Sequence, residues 1–350
     1  MAYTNIDDPS AHFQTTLYTG DGNDPRTVTN GGNSDLQPDW VIIKYRTAGV
    51  SPSTYDSSRG ATKRLYTDFG STEATLTTGV KAFNTDGFTV GDLGEVNANT
   101  IPYVAWQWHC DGGTTSSNTE GNTTNTLQLN STAGFSISTF TTQGSGNTTI
   151  GHGLGGVPEF FMIKARNNDY SWWVNHVGMG DQSDEYVAWN TTGDAATVSW
   201  GAAPTSTLIT LSQAFSGASK NTVCYAFKEK QGYSKFGKYT GNGNADGTFV
   251  YTGFKPAFFV CKRTDNTGNW LMFDNKRDGI NPSGRYFYAN GGNAEFDSTT
   301  VLCDFVSNGV KVRSNNNDIG ASNATYIFLA FAENPFVTSD TGGSIPTTAR

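Results

Sequence analysis

Three stretches decide how the chain is read: LQPDWVIIKYR at 36–46, GVPEFFMIKAR at 156–166 and FKPAFFVCKRT at 254–264. Each has a proline, a run of large apolar residues and then a lysine. The lysine follows the proline by six residues every time: Pro38 to Lys44, Pro158 to Lys164 and Pro256 to Lys262. Upstream of each lies an aromatic with a glycine-rich polar turn, Tyr18 with TGDGND, Phe140 with TTQGSGN and Tyr239 with TGNGNADG. Downstream each copy closes on an aromatic-rich stretch around one alanine, YVAWQW at Ala105, CYAFKE at Ala226 and FLAFAE at Ala330. The repeat is about 100 residues long, a whole domain rather than one of the 20–50-residue solenoid units that cannot bury a core singly.

Within a copy the apolar residues alternate or cluster in short runs bounded by Gly, Asn, Asp and Ser, with no sustained helical period, and such runs read as strands. WVIIK and FFVCK read as strands buried on both faces, since a continuous apolar run avoids water on either side of the pleat. Asp246-Gly247 and Asn308-Gly309 read as hairpin turns. The expected fold is all-β: three tandem homologous antiparallel β-sandwich or jelly-roll-like domains. The boundaries are an N-terminal arm (1–12), repeat 1 (13–110), a Ser/Thr/Asn-rich linker or hairpin (111–134), repeat 2 (135–230), repeat 3 (231–336) and a C-terminal tail (337–350). The short second junction, KEKQGYSK at 228–235, predicts a fixed relation between the last two repeats.

Composition narrows the function. The 350 residues carry a formal charge of −8, only 15% are charged, and 41 are glycine. Phosphate-backbone binding rests on dense basic patches that are missing from this sequence, so nucleic acid is not an expected partner. No apolar run approaches the roughly 20 residues of a membrane span, and the first residues do not read as a secretion signal. Cys110, Cys224, Cys261 and Cys303 form no CxxC pair and read as reduced, mostly buried thiols.

Chemistry-bearing patterns are few. Asn242, Asn244, Asp246 and Gly247 resemble the start of a calcium loop, but the closing position holds Gly253 in place of a bidentate glutamate, so a turn is expected. Asp56/Arg59 and Asp274/Arg277 recur at the same distance beyond their lysines. The middle copy carries His176 and Met179 there, which favours a local salt bridge or turn over catalysis. The nearest guesses for a glycosidase pair, which needs two carboxylates about 5–10 Å apart, are Asp56 with Glu73 and Asp274 with Glu295. There is no GxSxG nucleophile motif, and four scattered histidines, His12, His109, His152 and His176, do not make a metal site with four scattered cysteines. No catalytic, metal or cofactor site is therefore expected. Trp106, Trp108, Trp172 and Trp270 are weak candidates for stacking on sugar rings, against the plainer reading of core packing.

The segments AYTNIDDPSAHFQTTLYTGDG, GHGLGGVP, GYSKFGKYTGNG, TGFKPAFFVCKRTDNTGNWLMFDNKR and FAENPFVTSD resemble a family of virion proteins of marine tailed bacteriophages, described as tail-fibre-like. The resemblance implies a non-enzymatic virion structural protein assembled in an infected bacterial cytoplasm. Its implied partners are other virion proteins and host surface polysaccharide, either as a homotrimer or as a pseudo-threefold monomer. A capsid cement protein and a polysaccharide depolymerase are the alternatives.

Overall fold

The computed structural model describes residues 3–338. Nearly all regular structure is β, in antiparallel sheets, and the two α-helices have four residues each. No helix among the described residues is long and apolar enough to cross a membrane.

Three large sheets share one strand order. In each, the first strand of the repeat pairs with the last, and the last pairs with the strand that carries the repeated lysine. The opening strands are Phe13–Thr19, Phe135–Thr141 and Ser234–Thr240; the closing strands are Pro102–Trp108, Asn221–Phe227 and Thr325–Pro335. The lysine strands are Trp40–Tyr45, Phe160–Ala165 and Phe254–Arg263, and three shorter strands continue each sheet beyond them. A small sheet accompanies each large one: Arg26–Val28, Phe88–Val90 and Val80–Phe83 in the first copy, Thr148–Gly151 and Leu208–Leu211 in the second, and Phe249–Tyr251, Gly309–Val312 and Cys303–Val306 in the third.

The lysine strands explain why their sequences are apolar throughout. Successive side chains of a strand point to opposite faces. Val41 and Ile43 enter a cluster shared with Val28, Val80, Phe88 and Val90 of the first small sheet, while Trp40 and Ile42 enter a second cluster on the other face. Phe161 and Ile163 divide from Phe160 and Met162 in the same way, as do Phe259 and Cys261 from Phe258 and Val260. The second cluster is common to all three sheets. Trp40, Trp108, Phe160, Phe227, Phe258 and Phe331 meet there, and the space left at its middle is about 10 Å³. Each copy thus has a small core of its own and a share in a larger aromatic one.

The three prolines occupy matching places. All are buried, and the residue after each accepts a backbone hydrogen bond from the far end of the next strand: Ser57 N to Asp39 O, Val177 N to Glu159 O, and Asn275 N to Ala257 O, each 2.7–2.9 Å. The closing alanines match less well. Phe161 pairs with Ala226 and Phe259 with Ala330, but the equivalent Val41 pairs with Gln107, not Ala105. Ala105 is two residues out of register with the other two. A slip of two keeps a side chain on the same face, so the aromatic pattern around the alanine conceals it.

Other expectations are corrected by the topology. Asp246-Gly247 is not a hairpin turn, because the strands on either side of it, Ser234–Thr240 and Phe249–Tyr251, belong to different sheets. The loop between them is held by its own side chains, Asn242 Oδ1 accepting from Asn244 N and Asn244 Oδ1 from Asp246 N. The second hairpin is present, with Ser307 and Asn308 as its loop, because Gly309 already pairs with Val306. A Cβ at Gly309 would lie 2.3 Å from the Val250 carbonyl, so this strand residue needs glycine for close approach. Residues 111–134 form a hairpin rather than a linker: Ser116–Asn118 and Asn125–Asn130 pair with each other and extend the second sheet beyond its opening strand. The N-terminal arm is tied down, with Ile6 in the central cluster and Thr4 Oγ1 donating to Gln231 O at 2.7 Å. Most of the expected tail, residues 339–350, lies outside the described residues.

Candidate functional site

The repeated lysines and the Asp/Arg pairs singled out in the sequence converge on the junctions between copies. Lys44, Lys164 and Lys262 are buried at the end of their strands. Each donates to a carbonyl of another copy: Lys44 to Gly292 O at 3.2 Å, Lys164 to Gly70 O at 2.7 Å and Lys262 to Thr192 O at 3.5 Å. The first copy reaches the third, the second the first and the third the second, so the three contacts close a ring. Each lysine also donates to the carbonyl of the following residue. Burial pulls each ammonium down to about 8. A backbone bond follows the same ring at every junction, from Glu295 N to Arg46 O, Glu73 N to Arg166 O and Ala195 N to Thr264 O.

Arginine and carboxylate side chains reinforce two of the three junctions. Arg166 is bidentate to Glu73 at 2.8 Å, and Arg46 to Glu295 at 2.7 and 2.9 Å. The third junction has Thr264 and Ala195 at these places, which join through their backbone bond and not through an ion pair. Asp56 and Arg59 form an ion pair whose side chains are fully buried, and Arg59 also reaches Glu73 at 2.9 Å. Asp274 and Arg277 repeat this with Glu295 at 3.4 Å. Burial opposes the Arg59 charge, and the Asp56 carboxylate with its neighbours more than offsets it, so the guanidinium is raised above its ordinary value. For Glu73 burial works upward, but Arg166 and Arg59 outweigh it and hold the carboxyl down.

These groups also bind around the ring in the opposite sense. Asp56 accepts from Tyr225 OH of the second copy, and Asp274 from Trp106 Nε1 of the first at 3.1 Å. His176, which replaces the aspartate in the second copy, contacts Phe328 O of the third at 2.9 Å. Its Nδ1 accepts from Gly178 N, so Nε2 carries the proton and donates. Met179, in the place of the arginine, lies in the central cluster. Asp56 with Glu73 and Asp274 with Glu295 are therefore bridged pairs, each joined through one arginine, and the Asp side chains have no exposure.

His176 yields a pH prediction. Burial holds it down to about 4, against roughly 6.5 in an unfolded chain. Between those values the unfolded state takes up a proton that the folded state refuses, so stability falls as pH drops from 6.5 towards 4, by up to about 1.4 kcal/mol per unit. Urea unfolding at pH 7 and pH 5 is expected to show this loss, with a smaller loss in His176→Gln; equal losses would refute the assignment. His12, also held near 4 by burial, adds to the background slope.

The four tryptophans proposed for sugar stacking lie inside: Trp106, Trp108, Trp172 and Trp270 are 1, 2, 0 and 1% exposed, all in the central cluster. They offer no ring face to a glycan. Trp172 and Trp270 instead donate across the junctions to Tyr66 O and Ala188 O. All four cysteines are free and buried. Asp246 of the calcium-like loop is paired with Lys311 at 2.9 Å and Arg313 at 3.1 Å. Among the described residues no group of three or more His, Cys, Asp or Glu is placed to hold a metal ion. A cleft of about 530 Å³ with mixed polar and apolar walls lies between the opening strand of the first copy and residues 275–276 and 332–334 of the third.

Sequence reasoning missed Arg46, Arg166 and Tyr225, which complete the networks. The signal available was the lysine itself, a charge at one fixed place in three apolar strands, with an arginine two residues beyond it in two of them.

No curated protein and no solved structure matches the chain. The family described as Domain of unknown function (DUF7483) matches residues 8–335, from the end of the N-terminal arm through the last closing strand and across all three junctions. The chain belongs to that family.

Proposed function

We propose that the chain is a non-enzymatic structural protein of a bacteriophage virion, a fibre, spike or adhesin-like part. In this reading it is three tandem copies of one two-sheet sandwich, closed by a single polypeptide into a pseudo-threefold body. The ring of lysine-to-carbonyl contacts carries the proposal: it joins each copy to the next and the last to the first, the geometry by which one chain takes the place of a trimer at a threefold position. The two carboxylate pairs nearest to a glycosidase pattern in the sequence are committed to ion pairs at these junctions, which favours a binding or building role. Contact with host polysaccharide would fall to surface loops, since the tryptophans are inside.

Three measurements test this. The purified protein is expected to have the mass of one chain in solution, and a stable trimer would overturn the pseudo-threefold reading. Incubation with host capsular or surface polysaccharide is expected to release no reducing ends, and labelled antibody to find the protein on intact particles. Sugar release, or absence from the particle, would refute the role.

A further inference from the structure

We propose that the outer edge of the opening strand Phe13–Thr19 is a docking slot for an extended, polar peptide segment of a partner protein, which joins the first sheet as an added antiparallel strand. His109 N donates to His12 O at 3.0 Å. Antiparallel partners alternate between residues that exchange both backbone bonds and residues that exchange none. Gln14 and Thr16 therefore spend their backbone groups on the closing strand, while Phe13, Thr15 and Leu17 turn theirs outward, into the 530 Å³ cleft. An open edge of this kind is a template for strand addition.

The second copy shows what belongs there, while in the third the opening strand is likewise outermost and differs in the side chain at the matching place. In the second, the same edge is covered by Asn125–Asn130, whose register puts Gln128 opposite Ile137. From there Gln128 Nε2 donates to Ser57 Oγ at 2.9 Å and Ser58 Oγ at 3.1 Å in the first copy. In the third, the place of Ile137 is taken by Phe236, whose buried ring packs on Phe160 at 5.9 Å and fills the junction. In the first, that place is Thr15, whose buried hydroxyl has no hydrogen-bond partner. Ser57 and Ser58 stand beyond Lys44 as Asn275 and Lys276 stand beyond Lys262, and both of the latter line the cleft. A strand seated on this edge would bring the side chain opposite Thr15 to Asn275 and Lys276, as Gln128 comes to the two serines. The flanking walls, Thr29, Gly32 and Asn33, suit small polar side chains. The inference stands apart from the virion reading, because it needs only a neighbouring chain.

The probe is a synthetic peptide TTNTLQLNST, copying residues 123–132, added to the full-length protein while amide hydrogen exchange is followed. Without peptide, Phe13, Thr15 and Leu17 are expected to exchange at least about tenfold faster than Gln14 and Thr16, and peptide at about 1 mM to slow them by about tenfold. The same peptide N-methylated at the positions of Thr126, Gln128 and Asn130 is expected to have no effect, and Thr15→Phe, which copies the third repeat, to close the slot while remaining folded. Absence of slowing, equal slowing by the methylated peptide, equal slowing in Thr15→Phe, or slowing by a polysaccharide in place of the peptide would each overturn the proposal.

Discussion

Arg59→Met is expected to destabilise the protein by about 3–5 kcal/mol, the loss seen when one partner of a buried ion pair is removed and the other charge is left uncompensated. The Asp56 carboxylate would keep its bond from Tyr225 but lose its counter-ion, and Glu73 would keep only Arg166. The second copy indicates how the loss can be recovered, since it carries His176 and Met179 at these positions, with the histidine neutral and bonded to a backbone carbonyl. Asp56→His/Arg59→Met, which copies that solution, is therefore expected to be more stable than Arg59→Met by at least about 1.5 kcal/mol, because contacting residues couple by about 0.5–3 kcal/mol. Urea unfolding of wild type, both single variants and the double variant closes the cycle. Costs that simply add would mean that the pair does not act as a unit, and the role assigned to it at the junction would fail.

The contrast between these positions shows how far the sequence could be read. Three matched Pro-to-Lys stretches were legible because the strand period, the proline and the lysine are all local features. The continuous runs Trp40–Ile43 and Phe258–Cys261 also announced burial on both faces, and the exchange of Asp56/Arg59 for His176/Met179 pointed to a structural pair. What the second face of each strand meets is a long-range matter. A strand in a face-covered sheet and a strand at a three-sheet junction have the same alternating demand, so the shared aromatic cluster was not written in any one segment. For the same reason Trp106 and Trp270 were readable as core or as ligand platforms until their neighbours from other copies were known. The Ala105 misalignment and the absent hairpin at Asp246-Gly247 have a common cause. A pattern of period two, and a turn signal, each specify local geometry without naming the strand that comes next in space.

Trp108→Ala is expected to cost about 3–5 kcal/mol, the range for truncating a buried aromatic, and to do so in all three copies at once. Its ring stacks on Trp40 at 4.4 Å within its own sheet and meets Phe258 at 5.9 Å and Phe331 at 5.6 Å from the third copy. Phe331 in turn meets Phe227 of the second at 5.4 Å. The cavity would open where three sheets share their packing, and the stiff, dense interior has little room to collapse into it. Trp108→Phe should cost less, because the indole N–H has no hydrogen-bond partner to lose. Val250→Ala is the control, since Val250 lies in the third copy's own cluster and does not touch the central one. Native-state hydrogen exchange distinguishes the two cases. Trp108→Ala should speed exchange together in Trp40–Tyr45, Phe160–Ala165 and Phe254–Arg263, while Val250→Ala should act within the third copy. Acceleration confined to residues 13–110 in Trp108→Ala would mean that the copies unfold independently, and the central cluster would then be a contact between finished domains rather than the core on which each depends.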